Sequence, residues 1–480
     1  MLTSQLSEAD YCLYEDAEKL EAAALNDPEE EPHKSRYAAE KVWLELAENL
    51  NSALAQLNDS NSIRGVLAGV YLKLAKNVVQ CEEREKGKAY CLKGLTYLTK
   101  AEDVLDDPLE TELALSEETA HSYLSLLNYL GFLSESMGDH DYALKWLRDA
   151  ETVFNAYKIQ QEAVPPHNLT CTMKQIGAQF TNGAEYSDGA EFSDELWKAF
   201  ESLHTYTIYY LAQVYKNMDD ATVAAEYCEK TLVRQLETNE YDPLEWSLNC
   251  ATLSQFYLGK TTTWNQKNFA QARHCLAAAE AVAETIALPA EDDEYASDKV
   301  DQCRADINRC WAKYGISLLE TSQQSFLYKN DPEDFKDKNN KEMPPNFDDS
   351  LAEIDPLFPN LNIGTREAMI TADRVCNFDS ARATFLQVQR WLANAQKFYT
   401  LDSQASDAVE LVQDQSRLYK ALVFFEPATD RKTKMHKRRI DTLSNVLKEL
   451  NPSFYLTLCR QLLFELAETS NEMVSLKLDA

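Results

Sequence analysis

The feature that most constrains this chain is a hexapeptide that occurs twice. One copy reads Tyr210, Leu211, Ala212, Gln213, Val214, Tyr215, and the other Thr252, Leu253, Ser254, Gln255, Phe256, Tyr257. Each holds Leu, a small residue, Gln, an apolar residue and Tyr in that order. Weaker relatives lie upstream at Leu67, Ala68, Gly69, Val70, Tyr71 and at Leu130, Gly131, Phe132, Leu133, Ser134. A helix core that recurs in this way marks a repeat array, in which each unit buries its apolar face against its neighbour.

Start signals recur as well. Asp107, Pro108, Leu109, Glu110 returns as Asp242, Pro243, Leu244, Glu245. In each, Asp can cap a helix, Pro suits its first position, and Glu three residues on can return the cap. The clearest unit spans 123–151. There Leu130, Gly131, Gly138, Ala143, Leu147 and Ala150 fall at the spacing of a tetratricopeptide repeat, whose period is about 34 residues. Gly131 and Ala143 are small where two antiparallel helices approach, and Gly138 suits the turn between them. Leu in place of Ala143 would overpack that contact, at a cost of about 1–3 kcal/mol.

At 480 residues the chain exceeds one compact core. Gly (12) and Pro (14) are too few for a strand-and-turn architecture, so the fold expected is all-α. The segmentation expected is tetratricopeptide-like repeats over 1–290, a long helix over 297–325, a disordered, charged linker over 326–364, and a second, truncated tetratricopeptide-like block over 365–480. Within the first block the pattern fails from 159 to 194. Pro165 and Pro166 interrupt it, and a Gly-Ala-Glu-aromatic-Ser-Asp tandem over 183–194 reads as an insertion loop. Asn451 and Pro452, a cap followed by Pro, read as the start of the last helix.

The formal net charge of −32 repels nucleic acid and anionic membrane, and favours partners with basic faces. The opening residues lack the basic-then-apolar pattern of a secretory signal, and no apolar run reaches transmembrane length. Eleven cysteines include no Cys-x-x-Cys pair, which fits reduced thiols in the cytosol. Cys303 and Cys310, seven apart on one helix face, read as core rather than as metal ligands. A phosphate-cradling glycine loop, a zinc-protease helix and a nucleophile elbow are all missing from the sequence, so no catalysis, cofactor or metal is expected. His274 and Cys275, being adjacent, point to different sides of a helix and cannot form a dyad. The basic run 431–439 fits a nuclear import signal, a contact for an acidic partner, or a helix face balancing acidic neighbours.

Gln213 and Gln255 occupy the slot that, in a tetratricopeptide unit, lines the inner groove. Tyr210 and Thr252 lie three residues earlier on the neighbouring part of that face. Two readings stand: a contact row for a partner, or a buried glutamine pair bonding between helices.

These blocks resemble the KIF-binding protein family. The residues that carry the resemblance include Tyr209 to Tyr215, Glu245 and Trp246, Ala251 to Tyr257, and Ala272 to Leu276. Further blocks are Val412, Gln413, Asp414; Phe424, Phe425, Glu426; Lys434 to Ile440; and Leu450, Asn451, Pro452. Glu31 to Tyr37 matches the family's first inter-helix turn. The resemblance implies a tetratricopeptide-like right-handed α-solenoid in two halves joined by a long helix. It implies a monomeric, non-catalytic scaffold in the cytoplasm and at the cytoskeleton. Such a scaffold binds kinesin motor domains, blocks their attachment to microtubules, and so bears on axonal transport and neuronal microtubules. The family's contact positions match Tyr210, Gln213, Thr252 and Gln255, and Arg36 in the first turn. Asn26 and Glu30 stand where the family can carry Lys, and similar proteins continue past the final helix. The alternative is a general tetratricopeptide adaptor or co-chaperone. That groove needs converging Lys, Arg and Asn to grip a carboxylate, and here Tyr209 and Gln213 hold the inner positions.

Overall fold

Side-chain caps set where several helices of this chain begin. Asp139 accepts from the Tyr142 N–H, Asp220 from Val223 and Asn265 from Asn268, each satisfying an otherwise orphaned donor. Asp242 does the same for Glu245 at 2.8 Å, directly ahead of Pro243, as the repeated start signal predicts. A computed structural model describes residues 6–56, 60–99, 115–160, 164–180, 190–259, 264–287, 294–330 and 356–478. All regular structure among them is helical. The chain divides into two units, 1–240 and 241–480.

In the first unit the helices are α1 (Glu8–Ala23), α2 (Lys34–Gln56), α3 (Asn61–Val79), α4 (Arg84–Thr96), α5 (Ala120–Ser136), α6 (His140–Ile159), α7 (Leu169–Phe180), α8 (Ala190–Asn217) and α9 (Ala221–Thr238). α1 pairs with α2, α3 with α4, α5 with α6 and α8 with α9, while α3, α5 and α8 pack side by side. The α5–α6 pair follows the sequence reading closely. A Cβ on Gly131 would stand 2.6 Å from Leu147 Cγ, Ala143 is fully buried, and Gly138 takes φ +79° in the turn. The α8–α9 turn is built alike, except that Asp219 takes the left-handed position at φ 60°.

The second unit holds α10 (Pro243–Gly259), α11 (Gln266–Ala283), α12 (Glu294–Asn330), the single turn α13 (Gly364–Glu367), α14 (Phe378–Phe398), α15 (Ala405–Phe425), α16 (Thr429–Glu449) and α17 (Leu456–Leu478). α10 pairs with α11, α12 with α14, and α15, α16 and α17 follow in sequence. α12 is the expected long helix. Its Cys303 is buried, and Trp311 stacks on Trp391 of α14 with ring centroids 4.9 Å apart.

Four expectations need correction or restatement. The stretch 159–194 is not patternless: α7 buries Met173 and Ile176 in the core that α1, α2 and α3 share. Its Leu169, Met173 and Ile176 repeat at four and three, a stripe hidden behind Pro165 and Pro166. The second copy of the tandem is helical where described, from Ala190 onward in α8; the first copy lies outside the described residues. The last helix begins at Leu456, not at Asn451. The Asn451 carbonyl accepts from Phe454 at 3.1 Å and Tyr455 at 3.0 Å, so Asn451 and Pro452 head a separate turn. The start signal at 107–110, and 331–355 of the expected linker, lie outside the described residues. The linker's two ends are ordered: 326–330 extend α12, and Phe358 is buried with its ring 5.2 Å from Trp246. Along the chain the packing divides at 240/241, whereas the expected segmentation is drawn by pattern and composition.

Candidate partner-binding site

In α8 the apolar residues of the hexapeptide point inward. Leu211 and Val214 are fully buried and Tyr215 is nearly so. Tyr209, Tyr210 and Gln213 are half-buried, and Tyr206 is 57% exposed, which leaves this face to solvent. The Tyr210 ring lies 5.7 Å from Phe132 of α5 and 5.4 Å from Tyr209. Burial pushes the Tyr210 phenol above its ordinary pKa, so it stays a protonated donor. Gln213 makes no side-chain hydrogen bond among the described residues.

The second copy, in α10, differs. Leu253 and Tyr257 again point inward. Thr252 is exposed and spends its hydroxyl on the Leu248 carbonyl at 2.8 Å. Gln255 is half-buried, and its Nε2 donates to Ser254 Oγ at 3.0 Å and to the Cys310 carbonyl of α12 at 3.3 Å. The two glutamines therefore do different things: Gln255 ties two helices together, while the Gln213 amide is open. They fall in different units, Gln213 with Tyr210 in 1–240 and Gln255 with Thr252 in 241–480.

Arg36 stands in the first turn of α2, half-buried, and its guanidinium forms no ion pair among the described residues. Its carbonyl accepts from Asn77 Nδ2 at 2.8 Å. The turn before it is braced. Asp27 accepts from the Ser35 N–H at 2.9 Å and hydroxyl at 2.5 Å, and the hydroxyl bond above all holds its carboxyl below the usual range. Tyr37 donates to Glu83 at 2.8 Å.

The sequence reading missed part of this surface. Lys76 of α3 and His121 and Tyr129 of α5 belong to the same unit, with Tyr129 and Phe132 in ring contact at 5.7 Å. The i, i+3 spacing of Tyr129 and Phe132 around Gly131 was the available signal. Lys76 carried none.

The basic run 431–439 is split by its helix. Arg439 and His436 are buried; Arg439 donates to Ser416 Oγ at 3.1 Å and pairs with Glu472 at 2.5 Å. Arg431 pairs with Glu426 at 3.2 Å, while Lys434, Lys437 and Arg438 are exposed. His274 donates through Nδ1 to Glu367 at 2.9 Å and accepts the Phe358 N–H on Nε2 at 3.1 Å, with Cys275 buried on another side. The described residues hold no group of three His, Cys, Asp or Glu suited to a metal.

Residues 244–480 match the family profile described as KIF-1 binding protein C terminal. A KIF-binding protein of Gallus gallus is 33% identical over 465 residues, covering 94% of this chain and 73% of its own. The chain belongs to the KIF-binding protein family. The Xenopus tropicalis KIF-binding protein is 34% identical and covers 86% of this chain and 64% of its own length. The Homo sapiens KIF-binding protein is 31% identical, with 94% and 74% covered. The chain thus spans about three-quarters of its chicken and human relatives, and under two-thirds of the frog one. Among solved structures, a circular tandem repeat protein aligns over 98% of this chain and 96% of its own, at 11% identity and a TM-score of 0.24, which carries no argument about the fold. The family profile takes in Thr252 and Gln255, whereas Arg36, Tyr210 and Gln213 lie ahead of it.

Proposed function

We propose that this chain is a non-catalytic scaffold that binds kinesin motor domains and blocks their attachment to microtubules. Through that block it regulates microtubule-based transport and axonal microtubule organisation, acting as a monomer in the cytoplasm and at the cytoskeleton. The observation that carries the reading is the kinship with proteins named for KIF binding, across 94% of this chain at 33% identity. The contact residues proposed are Arg36, Tyr210, Gln213, Thr252 and Gln255. Charge supports the partner class: a surface that grips acidic tubulin is basic, and a chain of net charge −32 attracts it at long range while repelling nucleic acid and anionic membrane. No helix among the described residues is long and apolar enough to cross a membrane.

Microtubule pelleting with a panel of motor domains tests the reading. Motors that are bound shift from pellet to supernatant as this protein is added. If every motor tried stays on the microtubule at saturating protein, the proposal fails.

A further inference from the structure

The unit 1–240 carries a cation without a counter-ion beside a chain of rings. Lys76 is exposed and forms no ion pair among the described residues, whereas Lys73, one turn earlier on α3, holds Glu18 at 2.5 Å and Glu21 at 3.7 Å. The Lys76 ammonium instead lies 5.8 Å from the centre of the Tyr129 ring. From Tyr129 the rings continue through Phe132 to Tyr210 at 5.7 Å per step, and on to Tyr209 at 5.4 Å. His121 stands two turns before Tyr129, half-buried, with Nδ1 3.5 Å from Ser125 Oγ and no hydrogen bond to Nε2 among the described residues.

Burial lowers the Lys76 pKa, and the charge of Lys73 adds to the effect. Burial, helped by Lys76, takes His121 down to about 4. Two basic groups are thus short of negative charge in a chain that is strongly acidic as a whole.

We propose that Lys76, with His121 beside it, receives a carboxylate side chain of the bound partner, and that the rings of Tyr129, Phe132, Tyr209 and Tyr210 take apolar residues flanking that acid on the partner's surface. A carboxylate here supplies the missing counter-charge to a partly desolvated ammonium, so the hydrogen bond is charge-assisted. A Lys or Arg at the same place on a partner meets Lys76 and is rejected. The acidic field gathers basic surfaces in general, and this position selects among them by asking for one acid.

The inference rests on the motor-domain reading, and two measurements keep their failures apart. The first needs no motor. Hydrocinnamate is titrated against the protein with isotopically methylated lysines, and hydrocinnamamide serves as the uncharged control. The Lys76 methyl signal, assigned by its loss in Lys76→Gln, shifts saturably with the acid and not with the amide. Equal shifts, or none, overturn the carboxylate site. The second compares motor affinity of the wild type, Lys76→Gln and Lys76→Arg across salt concentrations. Lys76→Gln weakens binding about tenfold and flattens its salt dependence, and Lys76→Arg restores most of the loss. Unchanged affinity and salt slope in Lys76→Gln overturn the proposal. If the wild type binds no motor, the motor-domain reading falls, and the titration alone decides whether the site takes a carboxylate.

Discussion

At the scale of single residues, the two motif glutamines make separable predictions. Gln213→Glu leaves stability unchanged, because the amide it replaces bonds to nothing among the described residues. Gln255→Glu sets an acceptor against the Cys310 carbonyl, which the Gln255 amide reaches at 3.3 Å. That loss costs about 1–3 kcal/mol, read as a lower urea midpoint. If both variants unfold together with the wild type, the Gln255 bond carries no weight. Gly131→Ala tests the helix approach: the new Cβ meets Leu147 Cγ at 2.6 Å, both sites are buried, and destabilisation of about 1–3 kcal/mol is expected in the same assay. His204 gives a pH signature. It stacks on Phe154 with centroids 3.9 Å apart, and burial first, then Arg234, take its pKa down to about 3, against the weaker pull of Glu201. The unfolded chain takes up this proton first, as pH falls below about 6.5. Stability from the neutral ring is therefore complete above that pH and is lost as pH falls towards 3. At pH 5 the loss is about 2 kcal/mol. In His204→Gln the difference between urea stabilities at pH 7 and pH 5 shrinks by that amount, and an unchanged difference means the ring is protonated without cost.

At the scale of elements, α16 shows how a charge run can mislead. In sequence, 431–439 is one basic block; on the helix, His436, Arg439 and Leu443 step at three and four and turn inward together. Burial alone would raise the Glu472 carboxyl, yet Arg439 and Lys420 together hold it below the usual range. Arg439→Ala should therefore cost about 3 kcal/mol by thermal or urea unfolding, since it empties a buried position and leaves Ser416 and the half-buried Glu472 without their guanidinium partner. Lys434→Ala with Lys437→Ala should stay within about 0.5 kcal/mol. Equal effects from both would mean that the block is not divided. The spacing that divides it was present in the sequence, masked by charged residues at inward positions. α7 is the mirror case: its stripe is ordinary, but Leu169, Met173 and Ile176 follow two prolines and precede a tandem that draws the eye. The α5–α6 pair was legible in full because steric demand at Gly131, Ala143 and Gly138 admits few residue types. The site was legible only in part. A polar residue in a groove slot looks the same in sequence whether its amide is open, as in Gln213, or bonded to a neighbouring helix, as in Gln255.

At the scale of the whole molecule, the unit boundary left no mark in the sequence. α9 ends in a left-handed Asn239, and the Glu240 N–H returns to the Gln235 carbonyl at 3.2 Å, a helix ending of the kind that closes any repeat. Charge, by contrast, is a property of the whole chain and can be read without a structure. A net charge of −32 acts on a basic partner well before contact, so its effect belongs to the encounter. The association rate with a motor domain should fall about tenfold or more between roughly 50 and 300 mM salt, as the screening length drops below the separation at which the surfaces first sense each other. The dissociation rate should change far less, because contacts already made exclude much of the screening ions. Stopped-flow or surface-binding kinetics across that salt range separate the two rates. If dissociation carries the dependence instead, short-range pairs dominate the complex and the long-range field does not. In either case Lys76→Gln should lower the dissociation slope, because it removes one short-range pair and leaves a field of net charge −32 almost unchanged.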